Sequence, residues 1–272
     1  MKVIVALVIG VLAWQPRSAG EVRDSLDAYL IAYEPQLSKL VADEEMTQRI
    51  RQQWMVTNRR IESEVAFVSL PANAGWMGFR RVMKVNGKPI KDRGVPLAQL
   101  MLEGGSDDYD QARLLLADSA AQNLGAPRTI NLPNLPLELL HPRHRHRFQQ
   151  EIYDQEKVRG TQTVLLRLTE ISTPTIIQQA DAGDMKTVVW AWVEPSSGAL
   201  LRAQVSTKDI RIGVPSFDAR IRVEFARNAK LDLLVPIEMT ESFFVEHGEP
   251  GTSSARYSNY RRFDTAARIV PQ

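Results

Sequence analysis

The sequence predicts a mainly β protein of the α+β class: a curled antiparallel sheet closed over by an N-terminal helix and one helical insert. Three observations carry this. From Gly183 to Phe263 the chain is a run of alternating strands. Within it Ala219, Ile221, Val223 and Phe225 face one way, while Asp218, Arg220, Arg222 and Glu224 face the other. That period of two is the pattern of a strand with one buried and one wet face. Short turns join consecutive strands, which suits a meander and excludes a parallel sheet with its long crossovers. One amphipathic helix precedes the first strand.

The first twenty residues are expected to be a secretory signal. Lys2 supplies the positive start, Val3 to Trp14 is apolar and uncharged, and Ser18-Ala19-Gly20 offers small residues for cleavage. The apolar stretch is too short for a bilayer, which takes about 20 residues. Residues 21–272 then form a single domain, periplasmic or secreted, without a transmembrane anchor after cleavage. Its length of about 250 residues allows one large core. There is no cysteine, so the leader is not that of a lipoprotein, and the fold stands in an oxidising compartment without disulfides. The full chain carries 34 basic and 32 acidic residues. Loss of Lys2 and Arg17 with the leader makes them equal, and no basic excess remains to drive nucleic-acid binding.

Val22, Leu26, Tyr29, Leu30, Tyr33, Leu37, Leu40 and Val41 recur at spacings of three and four, which predicts the front helix, with Pro35 kinking or splitting it. Met46 to Trp54 fits either a continued helix or the start of the sheet. Ile61 to Leu70 and Gly78 to Val85 read as strands, the second turned back at Asn86-Gly87, where both residues tolerate positive φ. The helical insert spans about residues 95–124: a short piece around Leu97, Leu100 and Met101, then a helix capped by Ser106 or Asp107 and stopped by Gly125. Pro127 to Arg147 reads as an irregular, proline-rich apolar loop followed by a basic stretch. The remaining strands are Thr163 to Ile171, Val188 to Val193, Leu200 to Thr207, Asp218 to Ala226, Ile237 to Val245 and Ala255 to Phe263. Glu194 to Gly198 turns the second of these into the third.

Few residues suggest chemistry. His141, His144 and His146 have spacings that could ligate a metal, but Arg143, Arg145 and Arg147 alternate with them and would repel a dication. A solvated basic loop or anion-facing patch is the reading preferred, and neither metal nor cofactor is expected. Glu241 falls on the apolar row of its strand between Met239 and Phe243, where a lone carboxylate is costly. Arg261 falls on the row of Tyr257 and Phe263, so Glu241 and Arg261 are expected to form a buried ion pair or the polar floor of a cavity. Trp190 and Trp192 share one face of a strand whose other face (Val189, Ala191, Val193) is also apolar. Such a strand is either plain core or has core on one side and a cavity on the other. Trp76 and Phe79 could line the same cavity. With no nucleophile elbow, phosphate loop or zinc-protease helix, nothing argues for an enzyme.

The order of parts resembles the periplasmic lipoprotein-carrier (LolA/LolB-like) superfamily. The likeness is best in VWAWVEPSSGALLRAQV, from Val189 to Val205, while VNGKPIKD and YSNYRRF look like a group of secreted bacterial proteins with that fold. The resemblance implies a half-barrel whose concave side is capped by helices, lined with apolar side chains and able to hold the acyl chains of lipids or lipoproteins. Trp76, Phe79, Trp190, Trp192 and Tyr257 would line it. The alternative is an envelope protein-interaction or scaffold module with the same face packed solid. This chain is longer than the classical carrier, and no stretch of it matches that carrier's partner-binding surface.

Overall fold

The computed structural model describes residues 18–52, 55–69, 75–90, 107–125, 127–178, 183–209, 217–245 and 250–262. Most of the leader, the first piece of the insert and Phe263 lie outside them. Helix α1 (Ala19–Leu37) carries Pro35 in its last turn. Ser18, read from the sequence as part of the cleavage site, is its N-cap. The Ser18 hydroxyl accepts from the Glu21 backbone N–H, and the Glu21 carboxylate accepts from that of Ser18 (3.2 and 2.7 Å).

Eleven strands form one antiparallel sheet, open at both ends, in the order β4-β3-β2-β1-β11-β10-β9-β8-β7-β6-β5. They are β1 (Leu40–Gln52), β2 (Met55–Ser69), β3 (Trp76–Val85), β4 (Lys88–Pro89), β5 (Phe148–Val158), β6 (Thr161–Glu170), β7 (Met185–Val193), β8 (Leu200–Asp209), β9 (Phe217–Asn228), β10 (Leu233–Val245) and β11 (Gly251–Arg262). The sheet is thus two meanders, β1 to β4 and β5 to β11, sewn together where the first strand pairs the last (Glu44 opposite Tyr257). Leu40 and Val41, expected in the helix, instead begin β1, which runs through the ambiguous stretch from Met46 as far as Gln52. The turns fall where glycine chemistry places them: Asn86 and Gly87 have φ of 50° and 75°, and Gly198 has φ of 73°.

One face is covered. Val22, Leu26, Leu30, Tyr33 and Leu37 of α1, together with Leu132 and the leucines of α3 (Leu135–Leu140), pack on inward side chains of nearly every strand as one core. The cover sits close to the sheet. A side chain at Gly198 would meet the Ser25 carbonyl of α1, and one at Gly78 would meet the Asn134 amide. The insert helix α2 (Asp107–Ala121) lies on the opposite, outer face, where Leu115 and Leu116 pack on Val41, Ala66 and Phe79.

Two predicted loops are structured. Proline-rich residues 127–147 contain α3, with Pro136 in its first turn, and a 3-10 helix from Pro142 to Arg147. The unpredicted β5 is an edge strand, mostly exposed on both faces, so it carries no hydrophobic alternation. It turns into β6 at Arg159-Gly160, both at positive φ.

Candidate functional site

The covered face holds two buried charged groups beneath the segment from Asn123 to Asn134. In the first, Arg80 of β3 donates twice to Glu44 of β1 (2.5 and 2.8 Å) and to the carbonyl of Asn131 (2.6 Å). Burial pulls the Arg80 guanidinium down, and the Glu44 carboxylate outweighs that and holds it above its ordinary range. Asn131 continues the chain of bonds to Asn123, which accepts from Gln48 of β1. Tyr257 lies beside Glu44, its hydroxyl shifted well upward by burial first and by that carboxylate second.

In the second group Arg128 donates to both oxygens of Glu241 (2.6 and 2.9 Å) and to the carbonyl of Leu124 (2.9 Å). Its guanidinium carbon sits 3.7 Å from the centre of the Phe243 ring. Ser253, directly across from Glu241 on β11, supplies a further donor at 2.9 Å. The charged side chains of both pairs are at most 3% exposed. Each pair joins the sheet to another strand or to the cover, and every carboxylate oxygen in them has a donor.

The basic stretch forms a third cluster, where α1, α3 and the 3-10 helix meet. Arg143 bridges Glu34 of α1 and Glu138 of α3 (2.5 and 2.9 Å), and Ser69 of β2 also donates to Glu34 (2.6 Å). His141 accepts from the Arg143 backbone N–H at Nδ1, leaving Nε2–H to donate to Glu34 (2.9 Å). This neutral tautomer accords with a pKa lowered by burial and then by the Arg143 charge. His144 binds Glu138 at 2.7 Å, and Arg145 reaches Asp24 and Asp27 of α1. The stretch is a clasp on carboxylates, not the solvated loop expected. No group of three metal-ligating side chains occurs among the described residues.

The predicted site residues separate onto two faces. Trp76 and Tyr257 point to the covered side, 2% and 5% exposed. Trp76 packs edge-on against Tyr33 of α1 (5.9 Å between centroids). Phe79, one residue out of phase with Trp76, faces outward beneath α2. Trp190 and Trp192 also face outward, in a small cluster with Val158, Leu165 and Leu201. The Trp192 indole N–H donates to Glu156, and Arg202 lies 5.3 Å from its ring. The inward row of β7 is Val189, Ala191 and Val193, so the doubly apolar strand has core on one side and a satellite cluster on the other.

The expected Glu241–Arg261 pair does not form. Arg261 lies on the outer face, bound to Asp43 (2.6 Å) and Glu64 (3.0 Å). A bulge on β11 is the cause: Asp43 pairs with Ser258 and Val41 with Arg261, and Asn259 takes φ of 50°. The bulge adds a residue, so Tyr260 rather than Arg261 returns to the covered side. Arg128 was missed because it sits in a loop with no periodicity. Its one sequence signal was an inward carboxylate that needed a cation.

No protein-family model matches the chain, and no curated protein does. Solved structures of similar layout include a DUF1329 family protein from Desulfovibrio piger, 11% identical over 94% of this chain and 96% of that one, with a TM-score of 0.46. A LolA superfamily protein from Nitrosomonas europaea is 12% identical over 94% and 99%, with a TM-score of 0.39. A domain from Vibrio parahaemolyticus named for outer membrane lipoprotein sorting is 9% identical over 93% and 95%, with a TM-score of 0.44. At such identities, and with TM-scores below 0.5, these likenesses carry no function to this chain. Its class, an open antiparallel sheet with one face closed by helices, stands on its own strand order.

Proposed function

We propose that this protein is an exported, non-enzymatic module whose interior is structural and whose surface meets an envelope partner. The observation that supports this best is the filled covered face. Side chains of α1 and α3 interdigitate with the inward rows, and the charged groups Arg80, Glu44, Arg128 and Glu241 beneath residues 123–134 have partners within the chain. A cavity against the insert helix, beside Arg81, Leu115 and Ser119 and not under α1 and α3, has a volume of about 10 Å³, room for about one water. A ligand site takes about 300 Å³ or more.

A lipid or acylated ligand in the interior is the second reading. It is favoured by the cover being a layer separate from the sheet, held by apolar contact and by arginine bonds such as Arg80 to the Asn131 carbonyl (2.6 Å). Opening would expose that apolar surface, at about 0.8 kcal/mol per CH₂, and an acyl chain could offset the loss.

Native mass spectrometry with lipid extraction, on the protein purified from its own envelope, decides between them. An apo mass that ignores added fatty acids and lipopeptides is expected. Stoichiometric acyl cargo would sink the packed module and establish the carrier. The same spectrum reads the N-terminus, expected at Glu21 if the leader is removed.

A further inference from the structure

The outer face of the sheet treats charge differently in its two halves. Over β1, β2, β3 and β11 several cations have acidic partners: Arg60 with Glu45, Lys84 with Glu62, Arg261 with Asp43 and Glu64. Over β7, β8 and β9 Arg202 is paired with Glu224 at one end of the face, and the remaining exposed cations of this face have no acidic partner among the described residues. Lys186 of β7 stands directly opposite Lys208 of β8, and Arg220 of β9 lies opposite Ser206 in the next outward row. All three are exposed, and none has an ion pair among the described residues. Arg222, two residues beyond Arg220, is also exposed and bonds only the neutral Gln204 in the same outward direction (2.9 Å). Asp218, beside the row of Lys208, and Glu224, in the row of Arg202, are carboxylates on this face. Like charges directly opposite each other weaken a sheet.

We propose that the outer face of β7, β8 and β9 docks on an anionic lipid bilayer. The form of the patch favours a membrane over an acidic peptide. Its cations spread over three central strands, spaced by about 4.8 Å across the sheet and about 7 Å along it. The backbone groups of β8 are committed to β7 and β9, so an incoming strand finds no partners there. Half-buried Trp190, level with Gln204 and Arg222, adds an amphipathic ring of the kind that sits at headgroup level. A laterally extended, multivalent negative surface matches such an array, at about fivefold in affinity for each cation near the lipid. This goes beyond the proposed module and holds whether or not the interior takes cargo.

The test is co-sedimentation of the exported protein with vesicles of phosphatidylglycerol and phosphatidylethanolamine, against vesicles of phosphatidylcholine alone. Binding to the anionic vesicles is expected, with loss as salt rises from about 0.1 to about 1 M and the Debye length falls from about 10 to about 3 Å. Substituting Lys186→Gln, Lys208→Gln and Arg220→Gln together should weaken binding on the order of a hundredfold, with the urea midpoint no lower, because these side chains are exposed and the Lys186–Lys208 repulsion is removed. Substituting Arg60→Gln and Lys84→Gln, on the other half of the same face, should leave binding within a few fold. Absence of binding to anionic vesicles at low salt overturns the proposal. So does an equal loss in both sets of variants, which would reduce the effect to net charge. Binding to soluble polyglutamate but not to vesicles would assign the patch to an acidic protein instead.

Discussion

Replacing Arg128 with methionine isolates the partner that Glu241 uses. The substitution removes two bonds to the carboxylate, one to the Leu124 carbonyl and the contact with the Phe243 ring, while Glu241 stays at 3% exposure with only Ser253 as donor. Breaking a buried pair from one side costs about 3–5 kcal/mol, because the remaining charge is uncompensated. For a domain of this size, about 2–4 °C of melting temperature accompany each kcal/mol, so a fall of roughly 6–20 °C is expected. The double variant Arg128→Met, Glu241→Met should recover most of this, since apolar replacement of both partners is close to neutral. Arg261→Met is the control. Its side chain is 46% exposed beside Asp43 and Glu64, so its loss should cost at most about 1 kcal/mol. Urea denaturation of the four proteins gives the comparison. If Arg261→Met proved as damaging as Arg128→Met, or the double variant as unstable as the single, the pairing would be refuted.

Three further outcomes concern the turns, the 141–147 clasp and the outer tryptophans. Gly198→Ala combines positive φ with a methyl driven onto the Ser25 carbonyl, and should cost about 3 kcal/mol; Gly160→Ala, with positive φ but open space, should cost about 1 kcal/mol, both read from urea midpoints. The lowered pKa of His141 means that the unfolded chain takes its proton first. Its share of stability is therefore complete above about pH 6.5 and declines as pH falls towards the folded pKa. With Arg143, Glu34, Glu138 and His144 kept in place, His141→Gln should flatten the fall in urea midpoint between pH 7 and 5.5; an unchanged slope would show that the other groups carry it. Finally, Trp192→Glu should leave any interior binding intact, because the ring lies on the outer face; loss of acyl uptake in a folded variant would contradict that placement.

The sheet was legible wherever one face of a strand is wet. Ala219 to Phe225 alternate in sequence and in burial alike, and Asn86-Gly87 and Gly198 announce turns through their conformational needs. What was hidden depends on relations between elements. Periodicity set Trp190 and Trp192 on one face, yet nothing local says which apolar face of β7 is the covered one. β5 has no apolar row because its partner lies on one edge only. The bulge at Asn259 inverts Arg261 without a mark in the local pattern, and the carboxylates that clasp residues 141–147 come largely from α1, over a hundred positions earlier. Glu241 was recognisable as a buried acid; its partner was not, since a loop arginine has no phase to read.

The seam between β1 and β11 also sets an order of events. Asp43 meets Arg261 across 218 intervening steps of sequence, so the joint between the two meanders has to wait until almost the whole chain is available. Neither meander owns the core by itself, because α1 and α3 pack on inward residues from both. Folding is therefore dominated by distant contacts and slow on the scale of helical proteins. A nascent chain cannot close this joint early, and removal of its last strand would undo the first.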